Sequence, residues 1–478
     1  MAIITRIDAR SMYPLAEGGG TARRPAPSGY AFWIAAAHAC LICAVLAMAW
    51  GAIFWCRPAQ GAELKLEDQG PVPGTSLDFE ESVKFAIHRS PYFTKSSLEI
   101  DIRRMDETDS RFDLIPPLTF QTYYYVNRPS GIGSSKPYSL NFSTIPYNPL
   151  GAYFTLQAQK LATQVAILSH LHVIAGGLEK IGRLYLELDA LDKMAGYQKD
   201  LIKLAQENLT YATNRMNIGT ATSLEVKVAQ GELQLAQGEQ ESIALARTRV
   251  LTGLKNLLGL PSGYDLVFNS RDSQHQVLGQ FTPATASLAQ AKNRSYELKS
   301  LEIQKKLQGY KISLAVAQSF PTILFITQTP DPLSYSTAHG LYVGFGLQVP
   351  VWDGFKRIRN VSRQKATLRQ IGAKASEKEG DLEDKWFQAL GRIQEKRVAL
   401  KNGQTQEELA RLRAHQQEIR YQSGQVPLPA LLAGRRQVLL AQKDAVHKAL
   451  EYDRDVLYLR MLSGDLGNTY VDAKTWQK

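Results

Sequence analysis

Two histidines and a small group of glycines are the residues whose types could support chemistry. His170 and His172 could offer imidazoles to a metal ion, but their i, i+2 spacing places them on different faces of a helix. Gly176, Gly177 and Gly182 have the composition of a phosphate-binding loop, but no strand precedes them. The chain has neither a Gly-x-Ser-x-Gly motif nor a P-loop lysine. We therefore expect no catalytic, cofactor-binding or metal site, and no enzyme.

The elements that carry these residues occur twice along the chain. Arg89 recurs as Arg294 and Gly219 recurs as Gly424, so both pairs have the offset 294 − 89 = 424 − 219 = 205 residues. A tandem array of small repeats would have a period of roughly 20–50 residues, so the chain is a duplicated half-protein. We assign residues 63–280 to the first repeat. Residues 281–478 form the second repeat and a C-terminal tail.

Each repeat contains two short strand-like runs separated by a loop rich in turn-forming residues. The runs are 118–125, 138–145, 322–329 and 341–349. In the last run, apolar residues alternate with small or polar ones, and about 8–10 residues is the length of a tilted strand that crosses a bilayer. Because the hairpin is duplicated, we prefer membrane strands to an ordinary solvated hairpin. We assign six apolar residues to these strands: Phe120, Phe325, Leu341, Val343, Phe345 and Leu347.

Long helical segments surround the strands and make the predicted fold class α+β. One helical segment is predicted from Leu77 to Leu114, with a counterpart from Ala284 to Ser319. A proline-free helix of roughly 70 residues follows each hairpin and ends at Gly219 or Gly424, because glycine accepts a left-handed backbone. A return helix of about 37 residues follows each glycine, and its apolar seven-residue seam predicts an antiparallel coiled coil. The polar segments near 265–282 and after Gly464 are expected to form an irregular belt.

The first 62 residues have the order of a secretory signal. Arg23 and Arg24 precede an apolar stretch from Ala31 to Cys56, and small residues follow up to Ala62. The length of the apolar stretch also fits an uncleaved inner-membrane anchor, so residues 1–62 are a signal peptide or an N-terminal anchor. A net charge of +11 without a basic run interleaved with aromatic residues argues against nucleic acid as a partner.

Several short stretches, in this order and spacing, resemble the TolC-type outer-membrane efflux family. They include Leu77–Val83, Arg215–Gly219, Leu257–Pro261, Val349–Phe355 and Arg420–Gly424. The resemblance implies a homotrimer in which four strands per chain close a 12-stranded outer-membrane β-barrel. The long helices would then form a periplasmic α-barrel.

The resemblance also implies a function. The protein would be a passive exit duct from the periplasm to the exterior, in a tripartite efflux or type I secretion system. Its partners would be two further copies, outer-membrane lipid, a periplasmic adaptor and, through the adaptor, an inner-membrane transporter. A periplasmic coiled-coil adaptor anchored in the inner membrane is the alternative, although the duplication argues against it. The cargo and the class of transporter are not indicated by the sequence.

The two glycine turns predict the tip that faces the inner membrane. We expect the adaptor to contact four residues there: Gly219, Thr220, Gly424 and Gln425. Better-known members of the family narrow this tip with acidic residues after the second glycine turn. This chain has Ala430 and Ala433 at those positions, so closure must differ in detail.

Three charged residues near the tip are candidates for the aperture. Three copies of Glu225 would create a negative potential that favours cations. Arg435 and Arg436 follow on the helix after the second turn and could pair with Glu225 or with another tip carboxylate. All three could instead be solvated surface charges, since exposed ion pairs contribute only ~0–1 kcal/mol.

Overall fold

The structure is a computed structural model that describes most of both repeats. The described residues are 76–124, 138–261, 263–264, 267–270, 273–328, 342–349 and 351–470. All of them belong to the larger of two compact units, Pro71–Lys478. The predicted N-terminal signal or anchor, and Leu341 among the predicted strand residues, lie outside the described residues.

The first repeat contains two short helices, a β-hairpin and two long helices. Its elements are β1 (Ser76–Leu77), α1 (Phe79–Arg89), α2 (Pro91–Phe112), β2 (Leu118–Tyr124), β3 (Tyr138–Thr144), α3 (Pro149–Asn217) and α4 (Ser223–Leu258). The prediction of a long proline-free helix followed by a return helix is confirmed. Among the described helices, α3 is the one that is long and apolar enough to cross a membrane. The core helix of a soluble protein can have the same length and composition.

The second repeat follows the same order after a junction of short elements. These elements are β4 (Val267–Phe268), α5 (Ser273–Leu278), a 3₁₀ turn (Pro283–Thr285), α6 (Leu288–Arg294), α7 (Tyr296–Ala317), β5 (Thr322–Gln328), β6 (Tyr342–Gln348), α8 (Lys356–Gln422), α9 (Leu428–Leu462) and α10 (Asp465–Tyr470). The predicted strands and both long helices are reproduced to within a few residues.

The prediction of one continuous helix before each hairpin is wrong. Both segments are interrupted at equivalent serines, Ser90 and Ser295. The hydroxyl of Ser90 accepts a hydrogen bond from the backbone N–H of Tyr92 at 3.2 Å, and Pro91 occupies the first helical position. A serine cap followed by proline starts a new helix. The serine side chain accepts a hydrogen bond from a free backbone N–H, and proline has no N–H that needs a partner. Ser295 accepts in the same way from Leu298 N–H at 3.3 Å.

The segments expected to form an irregular polar belt contain short regular elements, and their apolar residues are buried in the core. β4 pairs in parallel with β1, and Phe268 packs edge to face on Tyr185 with ring centroids 6.2 Å apart. Val277 of α5 and Leu466 of α10 are fully buried. These short segments therefore pack against the middle of α3, beside Gly182 and Tyr185.

Two glycines of the apparent phosphate loop are packing positions inside α3. A Cβ built on Gly177 would lie 2.3 Å from the ring of Phe93, and one on Gly182 would lie 2.9 Å from Val277 Cγ1. Only glycine allows α2 and α5 to approach α3 this closely. The glycines are explained by close helix packing in the core.

Candidate functional site

The sheet has the strand order β2-β3-β5-β6, with antiparallel pairing throughout, and one apolar face. Phe325 and Phe345 are register partners on that face, and their ring centroids lie 5.2 Å apart. The register places five further apolar residues on the same face: Leu118, Phe120, Ile323, Val343 and Leu347. Phe345 is 81% exposed and Leu347 is 75% exposed. A contiguous surface of large exposed apolar side chains indicates an apolar environment outside the chain.

The opposite face of the sheet is mainly polar or small. It carries Thr119, Gln121, Asn141, Ser143, Thr322, Gly344, Gly346 and Gln348. Leu324 and Ile326 are the exceptions on this face, and both are opposite glycines of β6. Strands of outer-membrane barrels have an apolar lipid-facing side and a polar lumenal side, and this sheet has that division.

The sheet is open at both edges in a single chain. Within the described strands, β2 pairs only with β3, and β6 pairs only with β5. Both edges therefore offer backbone N–H and C=O groups for pairing with another strand. The helices α2, α3, α7 and α8 all join the strands at the same end of the sheet.

The first glycine turn is a compact, internally bonded tip. Gly219 has φ = +77°, and the N–H of Thr220 donates to the carbonyl of Arg215 at 2.8 Å. Thr222 caps α4, because its side chain accepts a hydrogen bond from the backbone N–H of Glu225. The carboxylate of Glu225 lies 3.4 Å from Arg215 Nη1. The expected left-handed glycine is confirmed, and an ion pair links the end of α3 to the start of α4.

The second glycine turn repeats the backbone without the ion pair. Gly424 has φ = +72°, and the N–H of Gln425 donates to the carbonyl of Arg420 at 2.8 Å. Arg420 is the equivalent of Arg215, but the equivalent of Glu225 is Ala430. Among the described residues Arg420 forms no ion pair. The two tips therefore share a fold and differ in charge compensation.

Solved structures share this architecture, whereas no protein-family model and no curated protein matches the chain. A membrane protein from Pseudomonas aeruginosa aligns with a TM-score of 0.68 and 16% identity, over 81% of this chain and 90% of that one. The outer membrane protein VceC from Vibrio cholerae gives 0.65 and 13%, over 81% and 96%. The CmeC outer membrane channel from Campylobacter jejuni gives 0.65 and 14%, over 83% and 88%. The chain has the fold of the TolC-type outer-membrane channels.

The TolC-type fold places the three aperture candidates near one another but does not pair them. Arg435 binds Glu418 with Nη2 and Oε1 2.9 Å apart. Arg436 binds Glu232 of α4 with Nη1 and Oε1 3.1 Å apart. Both arginines therefore pair with carboxylates other than Glu225. The Arg436 pair crosses from the second repeat to the first.

A groove of about 330 Å³ lies beside these ion pairs. It is lined by Tyr211, Arg215, Leu224, Val228, Glu232 and Pro429, among others. Pro429 belongs to the second repeat and the other five to the first, so the groove brings both helical hairpins together near the tip. Its lining combines aliphatic side chains with the carboxylates of Glu225 and Glu232 and the guanidinium of Arg215.

His170 has a structural role in this fold. Its Nδ1 lies 2.7 Å from the hydroxyl of Ser96, and the ring is buried between α2 and α3. Burial lowers the pKa of the imidazole, because the charged form loses hydration. In the part of the chain that the structure describes, no three His, Cys, Asp or Glu residues are grouped as metal ligands.

Sequence reasoning missed two features of this structure. The first is the buried carboxyl of Asp453 in α9, which accepts a hydrogen bond from Gln274 Nε2 at 3.1 Å. Its position inside an amphipathic helix gave no signal of burial. The second is a run of seven cations without a carboxylate at the start of α8, which a local charge count would have found.

Proposed function

We propose that the chain is one subunit of a homotrimeric outer-membrane channel, a passive exit duct for a tripartite efflux or type I secretion system. The observation that carries the proposal is the open sheet, apolar on one face and unpaired at β2 and β6. Backbone groups exposed to lipid must be paired, so an open edge cannot remain inside a bilayer. Pairing β6 of one copy with β2 of the next would remove both edges.

The helices beside the free edges support assembly with further copies. α8 follows β6 and α2 precedes β2, so ring closure brings α8 of one copy to α2 of the next. α8 exposes Ile358, Val398, Leu412 and Ile419. α2 and α4 expose Leu98, Ile102, Met105, Phe112, Leu224, Val228 and Leu235. In both cases the apolar residues recur at helical spacing, which is the pattern of a seam that a second helix covers.

Separation of inner and outer membranes tests the proposed function. We expect the full-length chain in the outer-membrane fraction, migrating as a trimer in an unheated gel and as a monomer after boiling. Phe345→Arg should impair assembly, because arginine on the lipid face costs about 2–4 kcal/mol near the bilayer centre. Gly344→Arg is the matched control, since it lies on the opposite face and nothing is within 4 Å of an added Cβ.

Two outcomes would contradict the channel. Extraction of a monomer from the inner membrane would favour the anchored periplasmic adaptor. Equal assembly of the Phe345→Arg and Gly344→Arg proteins would show that neither sheet face is in contact with lipid. Because the similar solved structures are channels and the described residues hold no catalytic constellation, we propose no enzymatic role.

The tip residues Gly219, Thr220, Gly424 and Gln425 are the proposed adaptor contact. Gly219→Val and Gly424→Val should reduce crosslinking to a periplasmic adaptor, since β-branched residues are disfavoured at positive φ. Gly231→Val is the control, because Gly231 lies within α4 with open space around it. Unchanged crosslinking of both tip variants would remove the turns from the contact surface.

A further inference from the structure

The segment between β6 and α8 exposes large apolar side chains next to the sheet. Val351 is 92% exposed and Trp352 is 75% exposed. Trp352 and Phe355 pack edge to face with ring centroids 5.0 Å apart. Phe355 has φ = +62°, the one positive φ of a non-glycine residue in the described chain. An aromatic residue rarely adopts this backbone, and here it brings the Phe355 ring against Trp352 while both remain exposed.

The first turns of α8 carry a concentration of positive charge. Seven cations and no carboxylate occur between positions 356 and 374: Lys356, Arg357, Arg359, Arg363, Lys365, Arg369 and Lys374. Within the described chain, only Arg357 has an ion-pair partner, Asp353, with Nε and Oδ2 3.6 Å apart. About half of the other described cations have an ion-pair partner, so this part of the surface has fewer counter-charges than the rest of the described chain.

Four of these cations border one open groove of about 490 Å³. It is lined by Gln318, Lys356, Arg357, Arg359, Asn360 and Arg363. Asn360 Nδ2 lies 3.4 Å from Gln318 Oε1, so amide groups of α7 and α8 meet in the groove. Guanidinium, ammonium and amide donors that converge in this way suit an oxyanion with several acceptors, such as a phosphodiester.

The groove lies where the sheet meets the helices. The apolar face of β6 continues through Val349 and Val351 to the aromatic pair, and the cations follow immediately. Aromatic rings are enriched at the membrane interface, and neighbouring cations attract anionic lipid headgroups. We propose that this groove binds the headgroup of an anionic phospholipid, with its acyl chains along Trp352 and Phe355. The inference rests on the proposed membrane insertion of the sheet.

A second copy of the chain is a poorer counter-charge for this groove. The helix that would face α8 in a ring is α2, which has five acidic and four basic residues. Glu99 and Asp106 of α2 already pair with Arg103, and Glu107 pairs with Arg111. The remaining carboxylates of α2 are too few to neutralise seven cations. An anionic lipid can supply the missing negative charge from outside the protein.

Native mass spectrometry of the full-length protein in neutral detergent tests the site. The probes are dioctanoyl phosphatidylglycerol, dioctanoyl phosphatidylcholine with the same chains, and sodium phosphate. We expect retention of phosphatidylglycerol over phosphatidylcholine. Arg359→Gln/Arg363→Gln should weaken phosphatidylglycerol binding about 25-fold, since each cation near an anionic headgroup changes affinity roughly fivefold. The control Lys401→Gln/Arg413→Gln removes the same charge from exposed positions much further along α8.

Three results of the binding measurements would overturn the lipid site. They are equal retention of the two lipids, equal binding by the Arg359→Gln/Arg363→Gln and control proteins, and complete displacement of lipid by equimolar phosphate. Loss of the trimer together with the lipid in the groove variant would instead assign the cations to contact between copies, and would also overturn the proposal. Flotation of the wild-type protein with vesicles is scored separately. Failure to float contradicts the proposed channel, whereas flotation without lipid preference contradicts only the headgroup site.

Discussion

The helices α3 and α8 are equivalent elements of two repeats, with 69 and 67 residues, yet they have different environments. α3 contacts α2, α4, α7 and α9 and buries residues along much of its length. Among the described elements, α8 packs mainly on α7 and α9, and it buries four residues: Trp386, Ala389, Ile393 and Gly403. The duplicated long helix therefore lies in the interior of the chain as α3 and at the edge of the chain as α8.

This difference shows that the side chains of each helix match its surroundings in the chain rather than its place in the repeat. α3 contains glycines where neighbours approach, at Gly177 and Gly182. α8 has charged residues in most turns and an apolar stripe that no element of its own chain covers. We interpret α3 as a helix selected for folding of the subunit and α8 as one selected for contact between copies.

The largest expected effect contrasts Ile181 of α3 with Leu412 of α8. Ile181 is completely buried, so Ile181→Asp would bury an unpaired carboxylate and should cost about 3–5 kcal/mol, enough to prevent folding. Leu412 is exposed in one chain, so Leu412→Asp should change subunit unfolding by less than ~0.5 kcal/mol but abolish the trimer. Circular dichroism and unheated gels measure the two effects. Trimers of Leu412→Asp protein would break the distinction between the two helices.

Asp453 of the second repeat should give the second largest effect, as a dependence of stability on pH. Burial raises its pKa from 3.8 to about 6, with a smaller rise from Asp189, against the Gln274 hydrogen bond and Lys193. Because the folded pKa exceeds the unfolded one, the folded state binds more protons between about pH 4 and 6. Stability from this group is therefore present at low pH and lost as pH rises through that window.

Asp453→Asn removes the titration and retains an acceptor for Gln274. Denaturation at pH 4 and pH 7 should show the variant close to wild type at pH 4 and more stable by roughly 2–3 kcal/mol at pH 7. The equivalent position in the first repeat is Thr248, so Thr248→Val serves as a control without a pH effect. A stability difference that is the same at both pH values would exclude Asp453 as the titrating group.

A pair of glycine substitutions should change stability in opposite directions. Gly177→Ala places a methyl group against the Phe93 ring and should destabilise the chain by about 1–3 kcal/mol. Gly380→Ala in α8 meets nothing within 4 Å and should stabilise it by about 0.5–1 kcal/mol through helix propensity. Thermal unfolding of the two variants measures the sign of each change in stability. Stabilisation by Gly177→Ala would show that α2 is not seated on α3 as described.

The smallest effect concerns the difference between the two tips. Glu225→Gln breaks the exposed ion pair with Arg215, which should alter stability by only ~0–1 kcal/mol. If Glu225 lines the aperture, the variant should lose cation preference in planar-bilayer recordings. Glu241→Gln is the control on the same helix, about 24 Å from Glu225 at the helical rise per residue. Wild-type selectivity in the Glu225→Gln channel would place the aperture elsewhere.

The helices and strands were predictable because their signals are local. Proline-free length, the glycines at 219 and 424, and period-two alternation through Phe345 depend only on neighbouring residues. The division of the first helix at Ser90 was missed although it is also local. Ser90 is followed by proline, but the helical pattern continues on both sides of the pair and hides the break.

The pairing of tip charges could not be predicted, since it depends on how two hairpins lie side by side. Arg436 reaches Glu232 across 204 residues of sequence, and periodicity carries no information about such a contact. Burial of Phe268 and Val277 was missed for the same reason. Their segment is polar overall, and only the packed core shows which of its side chains point inward.

The unpaired edges of β2 and β6 have a genetic consequence. In the proposed trimer every copy must offer two competent edges, so one defective subunit prevents closure of the whole ring. In a cell that makes normal and edge-blocked chains in equal amounts, random mixing into threes would leave about one eighth of the rings intact. A lesion on β6 should therefore be dominant, whereas a lesion that unfolds the chain before it can associate should be recessive.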